Sequence, residues 1–164
     1  MMPQPALGLA AAGDDASGPA VVWVALADGS VQSLDTRADT SAPTNLATSG
    51  AAAARAIAAS GDVREIALGG TDGTVVLFDV RGGTVRRRWR RSGAPIDCVS
   101  FAPRGRVVVG GEDGLPHVID FSEGGGLHVS ELVFGNVEAA RALRVSEGSV
   151  YIAGDGGVVR KYVL

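Results

Sequence analysis

Asp-Gly recurs four times between apolar runs, at Asp28-Gly29, Asp72-Gly73, Asp113-Gly114 and Asp155-Gly156, with successive aspartates 44, 41 and 42 residues apart. A run of strand length enters each pair and another leaves it: VVWVALADGSVQSLD, IALGGTDGTVVLFD, VVVGGEDGLPHVID and VYIAGDGGVVRKYV. Such a pair marks a tight hairpin, and the sequence predicts type I′ turns with positive φ at both central residues. Self-similarity at a period of about 42 residues, with paired strands in every unit, is the mark of a four-stranded propeller blade. The expected fold is therefore all-β: about four four-stranded antiparallel β-propeller units, the last lacking its outer strand because Leu164 ends the third.

The 164 residues suffice for one domain with a real core. The 24 glycines and 46% hydrophobic content, with only 5% aromatics, describe short strands and turns packed through small aliphatic side chains. A net charge of −3 points neither to nucleic acid nor to an acidic tail. Lys161 is the one lysine among 15 basic residues, which reads as coding bias rather than a binding property. Cys98, the one cysteine, excludes an intramolecular disulfide and a multi-cysteine metal site. The N-terminal MMPQPALGLAAAGDD lacks a basic n-region and soon reaches Asp14-Asp15, which argues against a secretory signal. No apolar run approaches the ~20 residues of a membrane helix, so the expectation is a soluble cytoplasmic protein, with a nuclear location as the alternative.

One segment over 1–164 divides into repeats at 6–48, 49–92, 93–135 and 136–164. Ala6 to Ala12 is the first strand of repeat one, and GDDASGP (Gly13 to Pro19) a turn. AAAARAIAA (Ala51 to Ala59) has helix-forming composition, yet the repeat register makes it the inner strand of repeat two. In repeat three, PIDCVSFAP (Pro95 to Pro103) is the inner strand, Arg104-Gly105 a turn, and Leu127 to Phe134 the outer strand. Ala139 to Val145, Ser149 to Ala153 and Val158 to Val163 make up repeat four.

Repeat three resembles a WD-repeat in Phe101-Ala102-Pro103, Gly110-Gly111, Asp113 and Ile119-Asp120. Phe78-Asp79 and Leu34-Asp35 stand where the Trp-Asp signature stands in that family. No Gly-His precedes an inner strand and no unit carries Trp-Asp, so Asp72, Asp113 and Asp155 read as turn residues rather than members of a buried His-Asp network. DGSVQSLD and DGTVVLFD also resemble the blades of quinoprotein-type propellers, although Trp89 falls two residues late for that pattern. WD-repeat proteins usually close with seven or more blades, and four open-ended units expose blade faces. The expectation is thus a partial propeller completed by another chain or a second copy, or a piece of a longer sequence, with a tight four-blade ring as the remaining alternative.

Arg86, Arg87, Arg88, Trp89, Arg90 and Arg91 form the one dense charge run. They could clamp phosphates or an acidic partner, or form a solvated outer strand whose charges block edge pairing. Strand alternation sets Arg86, Arg88 and Arg90 on one side and Arg87, Trp89 and Arg91 on the other. Cys98 reads as a buried inert thiol, His117 and His128 lack metal-ligand spacing, and Trp23 reads as packing. Gly69-Gly70 and Gly110-Gly111 lie inside hairpins, not at phosphate-binding helix starts. Arg55, Asp97 and Arg141 are charges on the inner strands, the last of which also carries Arg144. No catalytic residue, cofactor or metal ligand is assigned. The resemblance implies a non-catalytic protein-protein interaction scaffold, with a propeller enzyme fragment, or nucleic-acid contact through Arg86 to Arg91, as alternatives. Nucleic acid and membrane are not expected partners.

Overall fold

An Asp-Gly turn every 42 or so residues folds the chain back on itself locally, so each unit pairs its strands in chain order. The computed structural model describes residues 4–12, 21–37, 44–48, 53–121, 127–133 and 138–164. The first sheet comprises β1 (Ala6–Ala12), β2 (Val21–Leu26), β3 (Ser30–Asp35) and β4 (Thr44–Thr48). The second has β5 (Ala54–Ala59), β6 (Glu65–Gly70), β7 (Thr74–Asp79) and β8 (Thr84–Arg90), and the third β9 (Ile96–Ala102), β10 (Arg106–Gly111), β11 (His117–Asp120) and β12 (His128–Glu131). The fourth holds three strands, β13 (Ala140–Ser146), β14 (Ser149–Gly154) and β15 (Val159–Val163). Every pairing is antiparallel, and no α-helix occurs among the described residues. Phe134, expected at the end of the outer strand of repeat three, lies outside them, as do Ala51 and Ala52 and the Gly13 to Pro19 turn.

Burial on both faces overrides the helix propensity of the alanine-rich run. Ala54 and Ile57 of β5 enter the core shared with the first sheet, while Ala56 enters the core shared with the third. Strand alternation sets Ala56 and Ile57 on opposite faces, and the register shift at Arg55 returns Ala54 to the face of Ile57.

The turns correct the type I′ expectation. The loop has three residues in the first two units and five, 112–116, in the third, and in each its glycine alone takes positive φ: Gly29 (78°), Gly73 (79°) and Gly114 (67°). The amide of each donates to the carbonyl three residues earlier, Leu26, Gly70 and Gly111, which in the first two units makes the three-residue hairpin with a left-handed glycine. Positive φ at both central residues occurs instead at Glu147 (48°) and Gly148 (72°), between β13 and β14. The fourth turn is also offset. Gly157 (φ 69°), not Gly156, donates to Gly154, so Asp155 stands one place earlier in its loop than the other three aspartates.

The four sheets sit side by side through their first strands, β1 beside β5, β5 beside β9 and β9 beside β13. Three apolar cores fill the spaces between them. Trp23, Ala25, Ile57, Ile66, Leu68 and Phe78 pack in the first, Ala67, Val75, Leu77, Val99, Val107 and Ile119 in the second, and Cys98, Val108, Val118, Ala140, Val150 and Ile152 in the third. Glycine in the second strand lets the next sheet come close. A Cβ at Gly69 would lie 2.4 Å from Ile96 Cγ2, and one at Gly110 2.8 Å from Ala140 Cβ. β13 does not pack on β1 as β5 does, so the series is unclosed.

Candidate functional site

A register shift interrupts each first strand at the same place, between Ala6 and Gly8, Ala54 and Ala56, Gly110's partner Cys98 and Gly111's partner Ile96, and Ala140 and Ala142. The extra residue is Leu7, Arg55, Asp97 and Arg141 in turn. A bulged residue leaves the ladder and is re-aimed. Three of the four are charged, with alternating sign.

They meet. Arg141 Nη1 donates to Asp97 Oδ2 at 2.6 Å, and Arg55 Nε lies 3.0 Å from Asp97 Oδ1. The second contact is an ion pair rather than a well-directed hydrogen bond, since Oδ1 is buried without a hydrogen-bond partner. Glu112 Oε1 accepts from Arg55 Nη1 at 3.1 Å and lies 3.6 Å from Arg141 Nη1. Arg141 also grips Asp155 with both Nε and Nη2 at 2.8 Å. This fork lowers the Asp155 carboxyl below its ordinary value and raises the Arg141 guanidinium. The Asp97 side chain is 6% exposed, while its two arginines are 40% and 43% exposed. A buried acid thus ties three sheets together through partly hydrated cations.

Beside this ladder lies a cavity of about 290 Å³ with an apolar lining of Leu9, Ile57, Val99 and Leu143 from all four first strands, closed on one side by Asp97 and Arg141. Cys98 also lines it, its thiol pushed up to about 12 by burial and then by the Asp97 charge, which removes it as a nucleophile at neutral pH. Among the described residues no three His, Cys, Asp or Glu side chains converge as a metal-binding group.

The residues singled out by sequence are spread through the fold. Asp28 accepts from the Ser30 hydroxyl (2.6 Å) and amide (2.9 Å), and Asp72 from the Thr74 amide (3.1 Å) and hydroxyl (2.8 Å). The hydroxyl and amide bonds lower the Asp28 carboxyl; burial pushes the Asp72 carboxyl up, but the Thr74 bonds outweigh it and leave it below its usual value. Asp113 accepts from the Leu115 amide at 3.1 Å. Asp155, offset by one place, is spent on Arg141 rather than on its turn.

The Arg86 to Arg91 run lies along the outer edge of the second sheet. A register shift in the pairing of β7 with β8 makes Arg86 the extra residue, so the simple alternation fails there. Arg86 pairs with Glu65, Arg91 Nη2 lies 2.7 Å from Glu131 of the third sheet, and Arg90 Nε donates to the Ser92 carbonyl. Arg87 and Arg88 are exposed. Trp89 is half-buried with its ring centroid 4.7 Å from that of His117. His117 is 1% exposed; its Nδ1 donates to the Leu115 carbonyl at 3.0 Å and its Nε2 has no partner. His128 is exposed on β12, and Trp23 is 1% exposed with its indole N–H unpartnered.

No protein-family model matches the chain, and no curated protein does by sequence. In three dimensions it is similar over 100% of its length to the computationally designed Ika4 protein, at TM-score 0.77 and 19% identity, covering 94% of that chain. It is similar over the same full length to U3-55K, at TM-score 0.79 and 15% identity. The fold is propeller-like. The chain spans half the length of U3-55K. Each sheet is thus a blade, the first strands are the inner strands, and the ladder of Arg55, Asp97 and Arg141 lies where the inner strands of blades two, three and four meet. Glu112 escaped sequence reading altogether. The signal was present, since residues 55, 97 and 141 repeat at the blade period with charges of alternating sign.

Proposed function

We propose that the chain is a non-catalytic protein-protein interaction scaffold, a subunit of a larger assembly built from propeller blades. One observation carries this reading: the charged groups that converge at the axis are spent on one another. Asp97, Glu112 and Asp155 engage Arg55 and Arg141, which joins blades two, three and four. Catalysis at such an axis calls for an acid, base or nucleophile held apart from its neutralising partner. The one thiol beside the cavity is held protonated. The likeness to U3-55K and Ika4 supports the architecture on which a docking rim is built and leaves the partner to the surface chemistry. That rim consists of the Asp-Gly turns and the loops that enter the inner strands, on the same side as the ladder.

A photo-crosslinking residue placed at Thr71, on the rim, and separately at Arg104, at the opposite end of the blades, tests the proposal in a cell lysate. The scaffold reading expects one reproducible protein adduct from position 71 and none from position 104. Adducts of equal yield from both positions, or from neither, would overturn it.

A further inference from the structure

Resting on the scaffold reading, we infer that a second copy of this chain is the partner of the two end blades, and that two arcs close head to tail into one ring. Strand register makes the blades comparable residue by residue. The face that each blade turns to its predecessor carries Ile57, Ile66, Leu68 and Phe78 in blade two, and Val99, Val107, Val109 and Ile119 in blade three, all at most 9% exposed. In blade one the same positions hold Leu9, Val22, Val24 and Leu34, with Leu9 67% and Leu34 36% exposed.

The opposite face shows the same contrast. Trp23, Ala67 and Val108 are covered by the following blade at 0–1% exposure, whereas Tyr151, which holds their place in blade four, is 37% exposed. Ala153 stands where Ala25, Gly69 and Gly110 let the next inner strand approach, and Val159, 67% exposed, stands where Val31 and Val75 are buried. Each end is therefore one half of an interface that the chain makes three times internally, and the missing half lies at its other end. Its own other end does not supply it, because β13 does not lie against β1 as β5 does and both Leu9 and Val159 stay exposed. A second copy can. A two-fold axis would set blade four of each copy on blade one of the other, making two identical joints and leaving no open face. The full-length superposition on half of U3-55K shows an arc of this shape housed in a chain twice as long.

The closing face is more polar than the internal ones. Arg144 occupies the position of Ala10, Ala58 and Ser100, and Lys161, 5.6 Å from the Tyr151 ring centroid, that of Leu77 and Val118. The joint is accordingly a reversible one, of the polar kind found in non-obligate contacts.

Sedimentation equilibrium over a range of concentrations reads the result. The wild-type chain should approach twice its 16.6 kDa mass and fall to 16.6 kDa on dilution. Leu9→Glu and Val159→Glu alter exposed positions at opposite ends; each alone should be monomeric with the circular dichroism of the wild type. Mixed in equal amounts they should regain a dimer through the one intact joint that they share. Tyr151→Glu should behave as Val159→Glu, in case the latter misfolds. A wild-type monomer at every concentration, a dimer indifferent to these substitutions, no recovery on mixing, or open-ended polymers would each overturn the inference. The adduct at position 71 in the monomeric Leu9→Glu chain separates the two ideas. If it persists while no dimer forms, the scaffold reading stands without the second copy; if the dimer forms and the adduct is absent, the reverse holds.

Discussion

Arg141 and Asp97 meet at 2.6 Å across the seam between blades three and four, while Arg55 holds the other oxygen of the same carboxylate from blade two. One buried acid thus serves two seams.

Asp97→Asn keeps the shape and removes the charge, so both seams weaken together. Hydrogen bonds to charged groups contribute about 1.5–3 kcal/mol, and the loss belongs at the lower end because both guanidiniums are 40–43% exposed and regain water. Glu112→Gln, at a side chain 40% exposed, should cost less than about 1 kcal/mol. Urea unfolding of the two variants checks the order; an equal or reversed effect would remove Asp97 as the hub.

His117 gives stability a pH dependence. Burial dominates its shift and lowers its pKa, helped by Arg91; the Leu115 carbonyl and the charges of Asp113 and Glu131 oppose this without reversing it. The unfolded imidazole takes up a proton near pH 6.5 while the folded one resists, so this contribution is full above about pH 6.5 and declines as pH falls below it. Urea midpoints measured from pH 7.5 to 5 should drop for the wild type, and His117→Leu should flatten that part of the slope.

Glycine substitutions should divide by environment. Gly73 has φ 79° and an added Cβ would stand 2.2 Å from the Ser92 carbonyl oxygen, so Gly73→Ala should cost more than the ~1–2 kcal/mol of the left-handed conformation alone. Gly61 is open and has no positive φ, so Gly61→Ala should be neutral or stabilise by about 0.4–1 kcal/mol. Thermal denaturation distinguishes them directly.

The arginine edge predicts weak attraction for nucleic acid. Arg86, Arg90 and Arg91 are engaged within the fold, Trp89 lies against His117, and the whole chain carries −3. A fluorescent single-stranded oligonucleotide should not be retained at 50 mM salt. Binding that weakens steeply with added salt and is lost in Arg87→Glu would contradict this.

Much of the fold was legible in the sequence because hairpin turns and strand alternation are local. The Asp-Gly period located the blades, and register rather than propensity identified Ala54 to Ala59 as a strand. Finer features depend on neighbours in space. The offset of Asp155 is invisible until the Gly157 amide is seen to close the turn, and its release from turn duty is explained by Arg141. The two-residue turn at Glu147-Gly148 lacks the aspartate that marked the others. The bulges that aim Arg55, Asp97 and Arg141 at one point arise from pairing with the second strand of each blade, which a linear reading passes over.

Closure of the ring by a second copy can be read from a cysteine pair. Ala6 and Ala153 hold the positions of Ala140 and Gly110, whose Cβ sites approach to 2.8 Å where blades three and four meet. In a Cys98→Ala background, where alanine already fills the matching places at Ala56 and Ala142, Ala6→Cys with Ala153→Cys should oxidise to a covalent two-copy species. Its bridges should join position 6 of one copy to position 153 of the other in both directions. A bridge within a single chain, or two thiols that stay reduced, would contradict the account.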